Sequence, residues 1–176
     1  MLQSCKKSAI DQPANLPIDL KDSSIVFGKY ASYDLNGDGQ RDLLFHTQLV
    51  GDPVSQRDKR QWLISSSFFT NLAVDHEEKI PAMHQGEHIP VGNFAPYHWY
   101  NASSILLAQK NIGLNSIDWE GQWLDLSHRF IPFQLIKDNE LYNGWVEASF
   151  QKSGEKLVLH RAFLSNFPNS AIKAGE

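Results

Sequence analysis

The chain has 176 residues and a formal net charge of −4, with 41% hydrophobic and 20% charged residues, which suits a single globular domain. No apolar run approaches the ~20 residues that a membrane-spanning helix needs. Lys and Arg form no stripe with interleaved aromatic residues, so we expect no nucleic-acid partner.

The amino terminus reads Leu2-Gln3-Ser4-Cys5. This tetrapeptide resembles a bacterial lipobox, in which a leucine and a small residue precede the cysteine that becomes lipidated. The resemblance implies a lipid anchor at Cys5 and an extracytoplasmic protein, and Lys6 favours the outer membrane or cell surface. Cys5 is the only cysteine, so it cannot form an internal disulfide. The alternative is a chance cysteine in an N-terminal tail.

Residues 6 to about 22 contain Pro13 and Pro17 among polar residues and have no hydrophobic period. Such a composition is typical of a tether. We therefore expect residues 1–22 to be a lipobox remnant with a flexible tether, and residues 23–176 to form one β-sandwich domain.

The segment between residues 34 and 42 has the spacing D-x-N-x-D-G-x-x-D. Calcium prefers six to eight oxygen ligands, and such a loop supplies them from positions one, three, five, seven and nine, with a glycine at six for the turn. Position seven contributes its backbone carbonyl, and position nine binds directly or through a water. The predicted calcium ligands are Asp34, Asn36, Asp38, Gln40 and Asp42.

Position twelve of this loop is Phe45, where an EF-hand carries a bidentate glutamate. The apolar run from Leu43 predicts a strand in place of a helix. The loop resembles the single-loop calcium repeats of bacterial secreted proteins, including dockerin and FG-GAP repeats, and we expect a weak structural site with an affinity of about 10⁻⁴ to 10⁻³ M. The same residues also fit an ion-free Asn-Gly and Asp-Gly turn between two strands.

Short apolar runs at roughly ten-residue spacing predict strands, without a helical stripe. These runs are residues 24–33, 42–50, 61–69, 119–126, 129–136, 141–151 and 156–163. Residues 101–110 fit a strand or a short helix, and the Pro- and Gly-rich residues 75–100 predict a long loop region. The pattern favours an all-β, two-sheet antiparallel sandwich of jelly-roll or lectin-like type with few or no helices.

Three aromatic residues, Tyr97, Trp99 and Tyr100, follow this irregular segment. Aromatic rings with a polar tip are favoured at binding surfaces, and a β-sandwich with calcium and loop aromatics is similar to many carbohydrate-binding modules. These three residues are therefore candidates for glycan binding. The alternative is that Trp99 and Tyr100 close the end of the sandwich.

The carboxyl-terminal third contains a strand starting at Tyr142-Asn143-Gly144-Trp145, an Ala162-Phe163 pair and an Ile-Lys-Ala-Gly-Glu ending. With the acidic loop, this pattern resembles uncharacterised bacterial exported proteins, although Asn143 interrupts the usual Tyr-Gly-Trp order. The resemblance implies no enzymatic activity. Alternation after Gly144 predicts one core face and one partly wet face, with Glu147 a solvated residue.

The sequence predicts no catalytic residues. No G-x-S-x-G or H-E-x-x-H motif is present, and His84 and His88 flank a glycine among prolines. Carboxylates such as Asp118 and Glu147 are available for a glycosidase, as in any acidic protein. The preferred function is a membrane-anchored, calcium-stabilised extracytoplasmic domain; a carbohydrate-binding module ranks second and a glycan-cleaving enzyme third.

Overall fold

The structure is a computed structural model that describes residues 16–176. Within this range the chain forms thirteen strands and no helix, and so no helix that could cross a membrane. The strands are, in chain order, β1 (Ile18–Val26), β2 (Ala31–Tyr33), β3 (Leu43–Asp52), β4 (Arg57–Ser66), β5 (Thr70–Val74), β6 (His88–Ile89), β7 (His98–Tyr100), β8 (Ile105–Gly113), β9 (Ile117–Glu120), β10 (Arg129–Lys137), β11 (Glu140–Gln151), β12 (Lys156–Leu164) and β13 (Ile172–Lys173).

The strands form two antiparallel sheets that pack as a sandwich. The first sheet has the order β1-β12-β11-β10-β5-β7 and the second has the order β2-β3-β4-β8-β9. A short pair, β6 and β13, forms a separate two-stranded sheet. The all-β antiparallel prediction is confirmed. Of residues 101–110, the part from Ile105 onward belongs to β8, whose Ile105, Leu107 and Ala108 are buried in the sandwich core.

Alternation along the strands builds this core. In β11, Val146, Ala148 and Phe150 face inward and belong to the main buried cluster. Trp62 of the second sheet packs edge-to-face on Phe150, with 5.3 Å between ring centroids. Every second side chain along these strands therefore points into the core between the two sheets.

Part of the outer face of the first sheet is also covered, so the prediction of a partly wet face is wrong at Trp145. That side chain is fully buried, stacks on Phe163 with 5.6 Å between ring centroids, and meets Phe130 edge-on at 5.1 Å. The irregular segment contributes Met83 and Ile89 to the same cluster. Residues predicted as a loop therefore form a covering layer, because their apolar side chains need burial.

The first strand begins earlier than expected. Ile18 pairs with Ala162, so the sheet includes residues assigned to the tether, and the folded part starts before residue 23. Alternation is interrupted at Lys21 and Asp22, which have φ angles of 58° and 49° in the left-handed region. This irregularity hides the strand from a period-two pattern.

Candidate functional site

The acidic loop, residues 34–42, joins β2 to β3. The Asp34 carboxylate accepts hydrogen bonds from the backbone N–H groups of Gly37 at 2.7 Å, Asp38 at 3.2 Å and Gly39 at 2.7 Å. Gly37 and Gly39 have φ angles of 74° and 84°, which glycine adopts without a Cβ penalty. Asp34 therefore sets the path of the loop.

The next two predicted ligands touch each other. The Asn36 side-chain amide donates to the Asp38 carboxylate at 3.0 Å. The other Asp38 oxygen accepts the backbone N–H of Gln40 at 2.7 Å. Gln40 thus takes part in the loop through its backbone N–H, whereas its backbone carbonyl is the predicted calcium ligand.

The last predicted ligand, Asp42, is buried, with 3% of its surface exposed. Its carboxylate accepts the backbone N–H of Leu35 at 2.7 Å. Burial raises the pKa of Asp42, the Leu35 bond lowers it, and the charges of Asp38 and Asp34 raise it further, so that the net direction is upward. The loop therefore holds negative charge that a cation would stabilise.

The residues of the loop fit a calcium ion by donor type, because carboxylate, amide and carbonyl oxygens are the ligands calcium takes. Between residues 16 and 176, however, no group of three or more His, Cys, Asp or Glu side chains is arranged to hold a metal ion. The loop carboxylates are bonded to backbone N–H groups in this conformation. To bind one ion, Asp34 and Asp38 would have to direct oxygen lone pairs that these hydrogen bonds do not use toward the same position.

A second feature is a cleft of about 590 Å³ between the covering layer and residues 122–129. Tyr97 lines it together with Phe94, and their rings lie 5.5 Å apart. Two backbone hydrogen bonds, Phe94 N–H to Tyr97 O at 3.0 Å and Tyr97 N–H to Phe94 O at 2.6 Å, hold the pair in place. Polar side chains complete the wall: His84, Glu87, His88, Gln122 and Arg129.

The other two aromatic candidates lie elsewhere. Trp99 packs against the buried cluster of the covering layer, and its indole N–H donates to the carbonyl of Gly92 at 3.2 Å. Tyr100 is 52% exposed and meets the ring of His98. The structure thus brings only Tyr97 of the three into the cleft.

The two carboxylates considered for a glycosidase do not share a cleft. Asp118 bonds Asn111 at 2.7 Å and Arg57 at 2.8 Å on the outer face of the second sheet, since its neighbour Trp119 packs inward. Glu147 lies on the outer face of the first sheet. A pair acting on one glycosidic bond must flank it at a set separation, and these two carboxylates do not.

Glu147 is also not the solvated residue that we expected. It is 6% exposed and binds the side chains of Arg161 and His128. Together with His160, these residues form a polar group that spacing along the sequence did not indicate. The available signal was a glutamate between Val146 and Ala148 in the stretch Gly144–Phe150, where Ser149 is the only other polar residue.

Comparison of the chain with models of protein families, with curated proteins and with solved structures finds no match. The function therefore has to come from the geometry of the sites. The resemblances of the acidic loop and of the amino terminus to bacterial exported proteins stay predictions. Cys5 lies outside the residues that the structure describes.

Proposed function

We propose that this protein is a calcium-stabilised extracytoplasmic domain, held at the bacterial outer membrane or cell surface by a lipid on Cys5. The observation that carries the calcium proposal is the buried Asp42 carboxylate, whose pKa is raised by burial and by the charges of Asp38 and Asp34. A divalent cation among these groups would offset that repulsion. The lipobox resemblance supports the anchor, and a calcium-rich exterior suits a weak site.

The ion would act on the connection between two strands of the second sheet. The Asp42 N–H donates to the carbonyl of Tyr33 at 2.8 Å, and the Asp42 carbonyl accepts the N–H of Ser67 at 2.9 Å. Fixing Asp42 therefore fixes the ends of β2 and β3 and the turn after β4. Ligands that bind only the folded state stabilise it by mass action.

Thermal melting in calcium and in chelator tests this proposal. At 10 mM Ca²⁺, an affinity of about 10⁻⁴ to 10⁻³ M predicts roughly 1.4 to 2.7 kcal/mol of added stability. This corresponds to a rise of roughly 3 to 11 °C in Tm for a domain of this size. Asp38→Ala should abolish the rise, and Asp58→Ala, an exposed carboxylate on β4, should leave it unchanged. Equal melting of the wild type in both buffers would refute a structural calcium site.

A second candidate function is carbohydrate binding, favoured by the cleft at Tyr97. Aromatic rings beside hydrogen-bonding side chains match the alternating apolar faces and hydroxyl groups of a sugar. The wall offers donors from Arg129 and Gln122 and an acceptor from Glu87. Its volume of about 590 Å³ is within the range typical of ligand pockets.

A further inference from the structure

Five side chains on the outer face of the first sheet form a group that we call the histidine cluster. Its members are Asp22, His128, Glu147, His160 and Arg161. They come from four separate segments: β1, the loop before β10, β11 and β12. All five line a cavity of about 320 Å³, together with Pro17 and Asp19.

Irregular backbone at three points brings these side chains together. The register between β11 and β12 shifts after Glu147, which leaves His160 as an extra residue in β12. The register of β1 also shifts around Asp22, and both Asp22 and His128 have φ angles of 49°. Bulges re-aim side chains, and left-handed conformations of residues other than glycine cost energy that the surrounding structure must offset. Such features concentrate at functional sites.

Glu147 positions two of the cluster's side chains. Its Oε1 lies 2.6 Å from Nδ1 of His128, and its Oε2 accepts a hydrogen bond from Nε of Arg161. Burial works to raise the pKa of Glu147, but the bonds from Arg161 and His128 outweigh it and lower the pKa. An ionised Glu147 therefore holds the proton of His128 on Nδ1 and leaves Nε2 as the basic nitrogen.

Three nitrogen atoms of the cluster are available to a ligand. Within residues 16–176, neither Nε2 of His128 nor the two terminal nitrogens of Arg161 has a hydrogen-bond partner, although the Arg161 guanidinium lies 5.2 Å from the Trp145 ring centre. The His128 side chain is 62% exposed. The basic nitrogen of His128 and the two donor groups of Arg161 thus line the same cavity. Both side chains are bonded to the Glu147 carboxylate.

The other half of the cluster supports His128. His160 bonds Asp22 through Nδ1 at 2.5 Å and Ser149 through Nε2 at 2.7 Å, and its ring stacks on the His128 ring with 4.3 Å between centroids. This resembles a serine-histidine-aspartate chain. Ser149 is 3% exposed, however, and also accepts the backbone N–H of His128 at 2.9 Å. Its hydroxyl is a structural link and not an accessible nucleophile.

We propose that the histidine cluster is a hydrolytic site for a small uncharged carboxylic ester, with His128 as general base. His128 Nε2 takes a proton from water as the water oxygen bonds to the acyl carbon. The Arg161 guanidinium stabilises the negative charge that develops on the acyl oxygen. The bond to the alcohol oxygen then breaks, the imidazolium returns its proton to that oxygen, and a carboxylic acid and an alcohol leave.

The charge of the cavity selects this substrate class. Arg161 is balanced by Glu147, and Asp19 and Asp22 add two further negative charges to the lining of the cavity. Phosphate esters and other anions are therefore repelled. The cavity volume admits a short acyl group with its alcohol oxygen. This activity is independent of calcium binding at the acidic loop, which lies in the other sheet.

Hydrolysis of p-nitrophenyl acetate by the full chain tests the proposal. His128→Asn removes the base with a residue that tolerates the left-handed conformation, and we expect at least a tenfold loss of kcat/KM, since general bases contribute about 10²- to 10⁴-fold. His76→Asn, an exposed histidine outside the cluster, should keep the wild-type rate. Equal rates in wild type and His128→Asn would overturn the proposal.

The split between kcat and KM tests the positioning role of Glu147. In Glu147→Gln the side chain loses the charge that orients His128 and Arg161, so kcat should fall while KM changes little. The wild type should release p-nitrophenol without a burst, because no acyl-enzyme forms when water is the nucleophile. A wild-type kcat in Glu147→Gln, or a burst in the wild type, would contradict the assignment.

Discussion

Gly144→Ala should destabilise the domain by about 3 kcal/mol or more, the usual upper range for adding atoms to a packed core. A Cβ at position 144 would lie 2.5 Å from the carbonyl oxygen of Phe163 and 2.7 Å from Cε1 of Phe133, and closer still to Cζ of that ring. Phe133 is fully buried, so the ring has no free space to move into. The strand would have to separate from a neighbour.

Urea unfolding of Gly144→Ala and the wild type measures this cost. Gly92→Ala is the matched control, because a Cβ at Gly92 meets no atom within 4 Å. The control should unfold within about 0.5 kcal/mol of the wild type, as surface substitutions usually do. A Gly144→Ala midpoint equal to that of Gly92→Ala would show that β10, β11 and β12 are packed less closely than described.

Tyr97→Ala should weaken glycan binding by tenfold or more, if the cleft is a carbohydrate site. Truncating a central aromatic residue of a binding surface costs about 2 kcal/mol or more, and 1.4 kcal/mol is a factor of ten in affinity. Tyr97 packs against Phe94 at the cleft wall, so its loss also removes the support of that ring.

A glycan array with the full chain identifies a ligand, and titration of that ligand compares the variants. Tyr100→Ala is the control, since Tyr100 is an exposed tyrosine outside the cleft. It should bind as the wild type does. Equal losses in both variants would remove the cleft from consideration, and a wild type that binds no glycan would eliminate carbohydrate binding.

Period-two patterns predicted the carboxyl-terminal strands closely. Residues 129–136, 141–151 and 156–163 coincide with β10, β11 and β12 to within a residue or two. Their turns carry local signals: Asp138 and Asn139 both have positive φ angles, the conformation that a tight hairpin requires. Where hydrophobic alternation and turn chemistry agree, the sequence alone is sufficient.

The early part of the chain and the covering layer were harder to predict. The first residues of β1, up to about residue 22, were assigned to a tether because they follow Pro13 and Pro17 and show no hydrophobic period, and the alternation of β1 is interrupted at Lys21 and Asp22. Met83 and Ile89 are buried over the first sheet, although prolines and glycines around them suggest an exposed loop. The burial of such residues depends on a distant sheet face, which no local pattern reports.

The acidic loop and the histidine cluster differ in the same way. The acidic loop is nine consecutive residues, so its spacing could be read directly, and the structure places all five predicted ligands within one connection. The histidine cluster joins Asp22 to residues more than a hundred positions later. Its members come together only through the pairing register of β1, β12 and β11, and this register cannot be predicted from local sequence patterns.

Calorimetric titration of the calcium-free protein with Ca²⁺ measures binding at the acidic loop directly. We expect one ion per chain, with an affinity of about 10⁻⁴ to 10⁻³ M, and no measurable heat of binding in Asp38→Ala. A wild-type chain that binds no Ca²⁺ at millimolar concentrations, or an Asp38→Ala variant that binds it equally well, would contradict a calcium site in the acidic loop.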